Sequence, residues 1–271
     1  MAEHKFTSVE RRFEITRLYS TFEHHWNSEF CFNGESHDFW EIVYVDSGRV
    51  EAVADDRVYL LDGGNILFHS PMTFHTIRSA DGTSPHARNL SFSTRGTPPA
   101  NLSSGVFTLS HAEREEFVRI FELAKISTEG ERDPDFATEA AVSLEAFILR
   151  LCRSLNVESK QSSATSAAEY RRIVSSMTDA VCENLSLSEI AQRNHISVSY
   201  VKILFQRYAG VSPKSYYSSL RAAEAARMLS DGMSVSEVAD RMKFSSPNYF
   251  EIFFKRQMGI TPGKYKNGKF T

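Results

Sequence analysis

Ser199, Lys202 and Gln206 fall at helical spacing, and about fifty residues later Asn248, Glu251 and Lys255 repeat the same intervals. Residues three and four apart share one face of a helix, so each triplet presents its polar groups together. An asparagine so placed can pair with adenine, a glutamate can accept from a cytosine amino group, and a lysine can meet a base edge or a phosphate. Glu251 also repels phosphates, so the second set reads less, or more selectively, than the first. Arg207 beside Gln206, and Arg256 beside Lys255, supply further groups for phosphates, with the steep salt dependence that counterion release brings.

These faces need helices to carry them. Behind the first triplet Val201, Leu204, Phe205 and Tyr208 form an apolar stripe, and behind the second stand Phe250, Phe253 and Phe254. A short helical pattern precedes each: Leu187-Ser188-Glu189-Ile190-Ala191, with Ser186 or Ser188 available as a cap, and Val235-Ser236-Glu237-Val238-Ala239. Ala191 is small where two crossing helices must approach closely. Gly210 and Gly259 end the longer helices, because glycine tolerates the left-handed C-terminal position. Ser212-Pro213 and Thr261-Pro262 then open new helices, with Tyr216 and Tyr265 packing back under each unit. Tyr216 to Leu229 reads as one unbroken helix through Arg221, fixing the separation of the two units. A single pattern of this kind arises often in all-helical domains. Two copies sharing apolar positions, stop glycine and restart point to two recognition helices entering two major-groove segments.

Charge divides the chain at the same place. From Glu169 onward 15 Lys and Arg face 9 Asp and Glu, a net +6, while the preceding part has 16 against 25, a net −9. A basic third beside an acidic remainder suits one module that meets nucleic acid and one that does not. Cys31, Cys152 and Cys182 are odd in number and widely spaced, which predicts buried free thiols rather than disulfides or a metal set. The opening Met-Ala-Glu-His-Lys has no signal-peptide core and no run approaches a membrane span, so a cytoplasmic protein without a membrane partner is expected.

From Phe39 to about Phe92 short β-type runs alternate with turns: Trp40–Val45, Gly48–Val53, Val58–Leu61, Ile66–Phe68 and Phe74–Ile77. They suggest a small barrel or jelly roll. Phe117, Ile120, Phe121 and Ala124 then mark one amphipathic helix; Ala140, Leu144, Phe147, Ile148 and Leu151 mark a second, after Asp133-Pro134. The second stripe is packed core in a lone domain. Trp40, Phe68, Phe74 and Phe92 serve as core or pocket wall, and Arg78 and Arg88 as anchors for an anion. A serine-rich segment, 158–168, separates residues 1–157 from 169–271.

The segment from about Tyr170 to Tyr265 resembles the DNA-binding domain of the AraC/XylS transcription regulators. Ser246-Pro247-Asn248-Tyr249-Phe250, Phe254-Lys255-Arg256, Gly259-Ile260-Thr261-Pro262 and Tyr265 carry the likeness, with Arg221, Ala225 and Leu229 matching the connecting helix. The resemblance places base reading on Ser199, Lys202 and Ile203, and on Pro247, Asn248 and Glu251. Lys243 stands where the family usually has glycine, so any positive φ there falls on a lysine. The strand region resembles the cupin-type sensor of such regulators: His37, Glu41 and Gly48, then Gly64, Pro71 and His75, follow the two cupin motifs. Glu35 replaces the first histidine, and the second motif is one residue short and lacks its asparagine.

The fold expected is therefore α+β and multidomain: a cupin-like β-barrel with two helices, then an all-α domain with two helix-turn-helix units. The resemblance implies a regulator, tilted toward activation, whose barrel binds a small effector through His37, Trp40, Glu41, His75 and Arg88. It also implies RNA polymerase as partner and a homodimer, with Leu144, Phe147, Ile148 and Leu151 as the alternative seam. No cofactor is expected. His37, Glu41 and His75 read as polar groups at the barrel mouth, though they are the residues that would gather a divalent metal; His24, His25, His69 and His86 show no ligand pairing. Two other readings stand beside this one: a barrel that binds a protein partner, and a metal-dependent cupin enzyme with a DNA-binding tail. Neither a nucleophile elbow nor a phosphate loop occurs in the sequence.

Overall fold

A computed structural model describes residues 7, 8, 10–103, 105–130, 134–154, 157, 158 and 164–267. The N-terminal strands form two sheets rather than one closed barrel. One has six strands in the order β1 (Phe13–His25), β8 (His86–Gly96), β3 (Trp40–Ser47), β6 (Asn65–His69), β9 (Val106–Thr108) and β10 (Val157–Glu158). The other has four: β2 (Cys31–Glu35), β7 (His75–Ser79), β4 (Arg49–Ala54) and β5 (Arg57–Asp62). The two face each other as a cupin-like sandwich.

Strand alternation divides the six-stranded sheet between two cores. Trp40, Ile42, Tyr44, Ile66, Phe68, Leu90 and Phe92 point outward and are covered by α1 (His111–Glu129) and α2 (Pro134–Arg153). Val43, Val45 and Leu67 point inward and meet Val50, Ala52, Leu61 and Ile77 of the smaller sheet. On α2 Leu144, Phe147, Ile148 and Leu151 are at most 1% exposed. The stripe offered as a dimer seam is thus consumed by the domain's own core, against β1 and α1. What α2 exposes is its far side, with Val142 and Leu149.

The C-terminal domain comprises α3 (Thr165–Asp179), α4 (Leu187–Arg193), α5 (Val198–Tyr208), α6 (Pro213–Ser230), α7 (Val235–Arg241), α8 (Pro247–Met258) and α9 (Pro262–Lys266). Its repeat is visible in the caps. Ser186 with Glu189 opens α4 and Ser234 with Glu237 opens α7, each a reciprocal capping box. Ser197 and Ser246 cap the two longer helices, and Ser212 and Thr261 cap the helices that follow. Gly210 and Gly259 take φ of 67° and 75°, as their stop role requires. Lys243 carries a φ of 56° in the second inter-helix turn, and His195 does the same at 54° in the first. The serine-rich separator is shorter than its sequence suggested: residues 157 and 158 pair with β9, α3 begins at Thr165, and Ala167 is already core. Positions 159–163, like 131–133, lie outside the described residues.

The two halves are docked. The β4–β5 hairpin and Phe74 enter the core of the first helix-turn-helix unit: Val53, Val58 and Phe74 pack with Tyr170, Phe205, Tyr208 and Tyr216. Phe74 meets the Tyr216 ring edge-on at 4.9 Å. The second unit has its own core on the far half of α6, from Ala225, Leu229, Val238, Phe250 and Phe254.

Candidate DNA-reading surface and effector cavity

Each reading helix buries one stripe and offers the rest. On α5 Val201, Leu204, Phe205 and Tyr208 are buried, while Ser199, Lys202, Ile203, Gln206 and Arg207 are exposed. On α8 Phe250 and Phe254 are buried, while Pro247, Asn248, Glu251, Lys255 and Arg256 are exposed. The docked sandwich therefore leaves these side chains in solvent. Sequence reasoning passed over Tyr249 and Ile252, which are 58% and 59% exposed on the same side of α8. Their position relative to Phe250 and Phe254 puts them outside, where such groups suit a thymine methyl.

Arg221 of α6 joins the units. Its guanidinium donates to Val181 O at 3.3 Å and to Asn184 Oδ1 at 2.8 Å in the first unit. It also donates to Met242 O in the second, and lies 4.6 Å over the Phe244 ring. A buried cation in this position fixes the angle between the two reading heads as well as their separation.

Between the two sheets of the sandwich a cavity of about 340 Å³ opens, walled by Phe22, His24, Trp26, Phe30, Phe32, Val43 and Ile77 and polar at its depth. There Glu41, His69, His75 and Asn89 converge, with Glu35 at the rim. Asn89 Nδ2 donates to Glu41 Oε1 at 3.1 Å. His37 Nε2 lies 3.7 Å and His75 Nε2 3.6 Å from the Glu41 carboxylate, both beyond a hydrogen bond. The imidazole Nδ1 atoms are spoken for, by Phe39 O at 3.0 Å for His37 and Thr73 O at 3.1 Å for His75. Burial holds His75 below the ordinary histidine range, and His69, stacked on it at 4.4 Å, well below.

Three effector candidates fall elsewhere: His37 lines a separate pocket with Ser36, Asp38 and Met72, and two more are each displaced by one residue of alternation. Trp40 precedes Glu41 and faces the helices, stacked on Phe92. Arg88 precedes Asn89; it bonds Asp46 and Glu23 and lies over the Phe121 ring. Arg78 is committed too, to Glu51 and to the helical domain. His24 and His69, read as unpaired, belong to the cavity wall, while His25 stacks on His86 beside Glu23. Cys31 is exposed and Cys152 and Cys182 are partly so; all three are free thiols, none fully buried.

Strand β7 has one side on each feature. His75 and Ile77 point into the cavity. Thr76 Oγ1, on the opposite face, donates to Tyr208 O at 2.9 Å, and Arg78 Nη1 reaches Arg207 O at 3.4 Å. Both acceptors end the first reading helix. Gly210 follows directly, and a Cβ there would stand 2.7 Å from Asn33 Cα of β2.

A sandwich with an internal cavity, docked on two outward-facing reading helices, defines a DNA-binding regulator with a ligand-binding domain. Residues 18–97 match the AraC-like ligand binding domain and residues 190–268 a helix-turn-helix domain. The chain belongs to the AraC family of transcription regulators. It is 22% identical over 239 residues to the transcriptional activator RhaR of Mannheimia succiniciproducens, covering 85% of this chain and 86% of that one. It is 23% identical over 246 residues to the activator RhaS of Escherichia coli, covering 86% and 87%. Among solved structures, ToxT of Vibrio cholerae aligns over 95% of this chain and 98% of its own, at 12% identity and a TM-score of 0.40.

Proposed function

We propose that this protein activates transcription from a promoter it reads with both helices, in response to a small effector held between the sheets of the sandwich. Ser199, Lys202 and Ile203 read one half-site; Pro247, Asn248 and Glu251 read the other. Gln206, Arg207, Lys255 and Arg256 contact phosphates. The observation that carries the reading is β7, whose two faces touch the cavity and the end of α5. An effector that favours one position of this strand shifts the balance between docked and released reading heads, by its differential affinity for the two states.

The protein acts as a homodimer in the cytoplasm and meets RNA polymerase at the promoter. On α2 the dimer contact falls to the exposed Val142 and Leu149 rather than the buried stripe. Among the described residues no helix is long and apolar enough to cross a membrane. We read the chain as a regulator and not an enzyme, on its similarity to transcriptional activators and on the two exposed reading faces.

Selection of random duplex DNA by the full chain, read by sequencing, tests the proposal. Two conserved blocks about one helical turn (~10 bp) apart are expected. One block alone, or none, would overturn two-headed reading.

A further inference from the structure

The two reading helices run in one register. The caps Ser197 and Ser246 are separated by 49 residues, and so are the stop glycines Gly210 and Gly259. Nothing is inserted between these ends, so Val201 falls on Phe250 and Phe205 on Phe254, all four buried. Two heads built alike, each laid in a major groove, bring matched side chains to matched places in their half-sites.

On the outer faces the register aligns Ile203 with Ile252, which are 61% and 59% exposed. Among its described residues the helical domain exposes three large apolar side chains, these two and Tyr249, and all three stand on reading helices. Tyr249 has no exposed counterpart: its ring leans on Phe244 at 6.1 Å, while Tyr200 is half-buried and donates to Glu169. A single exposed isoleucine needs no account. Two at one register position, on the faces that carry the polar reading groups, do. Ile203 lies one turn from Ser199 and Gln206, and Ile252 one turn from Asn248 and Lys255. The apolar group that a base pair presents in the major groove is the C5-methyl of thymine.

One position earlier the register opposes charges, since Lys202 aligns with Glu251 and both are exposed. A lysine seeks the O6 and N7 acceptors of guanine, and a carboxylate accepts from the N4 amino group of cytosine.

We propose that Ile203 and Ile252 each close over the methyl of a thymine at the same place in its half-site, and that the neighbouring base pair is inverted, with guanine facing Lys202 and cytosine facing Glu251. The half-sites thus share one letter and oppose another. The opposed letter gives the bound chain a single polarity on the promoter. With the heads exchanged, the lysine would meet an amino group and the glutamate two acceptors, a repulsion that rejects the reversed placement.

This rests on the two-headed reading above and names its bases, and the tests separate the two. The duplex enriched by selection is made again with deoxyuridine for the shared thymine in the first block, the second, or both. Uracil keeps the hydrogen-bonding edge and lacks the methyl. Fluorescence anisotropy with the full chain should show binding about 4-fold weaker for each methyl removed and about 15-fold weaker for both, the scale of one buried carbon apiece. Ile203→Ala should abolish the difference between thymine and deoxyuridine in the first block and keep it in the second; Ile252→Ala should do the reverse. Both side chains stand in solvent, so their unfolding curves should match the parent's. Selection with Glu251→Lys should change the base beside the second thymine from cytosine to guanine. Two enriched blocks without a common thymine, or deoxyuridine tolerated in it, overturn the shared contact and leave two-headed reading intact. Alanine variants that still discriminate overturn it too, and assign the isoleucines to a protein partner. An unchanged second block with Glu251→Lys overturns the opposed base. One block alone, or none, overturns both this proposal and the reading beneath it.

Discussion

Replacing Arg221 by methionine should cost about 3 kcal/mol of stability in the helical domain and loosen the two reading heads. Methionine keeps the apolar stem and fills the side-chain volume, so the loss isolates the guanidinium. That group serves Val181 O, Asn184 Oδ1 and Met242 O, and stacks on Phe244. Leaving the two backbone carbonyls without their donor costs ~1–3 kcal/mol each, and the cation–π contact adds ~0.5–2 kcal/mol. Recovery of the arginine's own desolvation offsets part of this, since it is 4% exposed. The helical domain should then melt more than ~10 °C lower. Binding to either half-site alone should change little, because Ser199, Lys202 and Asn248 are untouched. Binding to the composite site should fall ~10-fold or more, because the heads no longer hold the spacing that makes the second contact intramolecular. Calorimetry and fluorescence anisotropy on half-site and full-site duplexes measure the two effects. A variant within ~0.5 kcal/mol of the parent that keeps its preference for one spacing would refute the role assigned to Arg221.

Lys202→Ala or Asn248→Ala should weaken one half-site by ~1–3 kcal/mol and relax selectivity there, with an unchanged unfolding curve. Lys243→Gly should stabilise the second unit by up to ~1 kcal/mol, since glycine carries the 56° φ without strain; urea unfolding measures it. Asp55, in the hairpin that enters the helical core, has its carboxyl pushed by burial up to about 6, against the opposing hydrogen bond from Phe74 N. Its folded value exceeds the unfolded one, so its contribution is full below about pH 4 and is lost as pH rises through about 6; Asp55→Asn should flatten that slope in thermal unfolding. Gly210→Ala should lower full-chain stability by more than Gly259→Ala. Both lose a left-handed glycine, but only the first also meets the sandwich backbone.

The helical half was legible because its signals are local. Ser186 with Glu189, Ser234 with Glu237 and the paired glycines each act within one turn, and the stripe Val201, Leu204, Phe205, Tyr208 is the buried set observed. The cavity was less legible because a strand's faces separate by a single residue. Glu41 and His75 were found, yet Trp40 and Arg88, each one position off, point away. Strand β1 escaped altogether. It is an edge strand with register breaks at Ile15/Arg17 and Leu18/Ser20, which destroy the period-two signal over its first half. Phe22, His24 and Trp26 do alternate, and that remnant was the available clue to the cavity wall. On α2 a stripe suits either a core or a partner; sequence alone cannot weigh the two, and the sheet beside it took all four residues.

The docking is unequal, and the inequality sets the direction in which a signal travels. The first reading helix ends in hydrogen bonds from the sandwich, through Thr76 and Arg78, and against Asn33, whereas the end of α8, at Gln257 and Met258, faces the sandwich residues Ser36, His37, Asp38 and Met72 across a pocket. A shift of β7 therefore acts first on α5. Its direct path to α8 is α6, an 18-residue helix whose Arg221 grips both units. An effector that moves β7 without breaking that grip displaces both heads as one body, so occupancy would change affinity for the promoter while leaving the preferred spacing of its half-sites fixed. An effector that instead frees α5 from α8 would broaden the spacing preference. The ratio of full-site affinities across a spacing series, with and without ligand, separates these two outcomes, and the buried guanidinium favours the first.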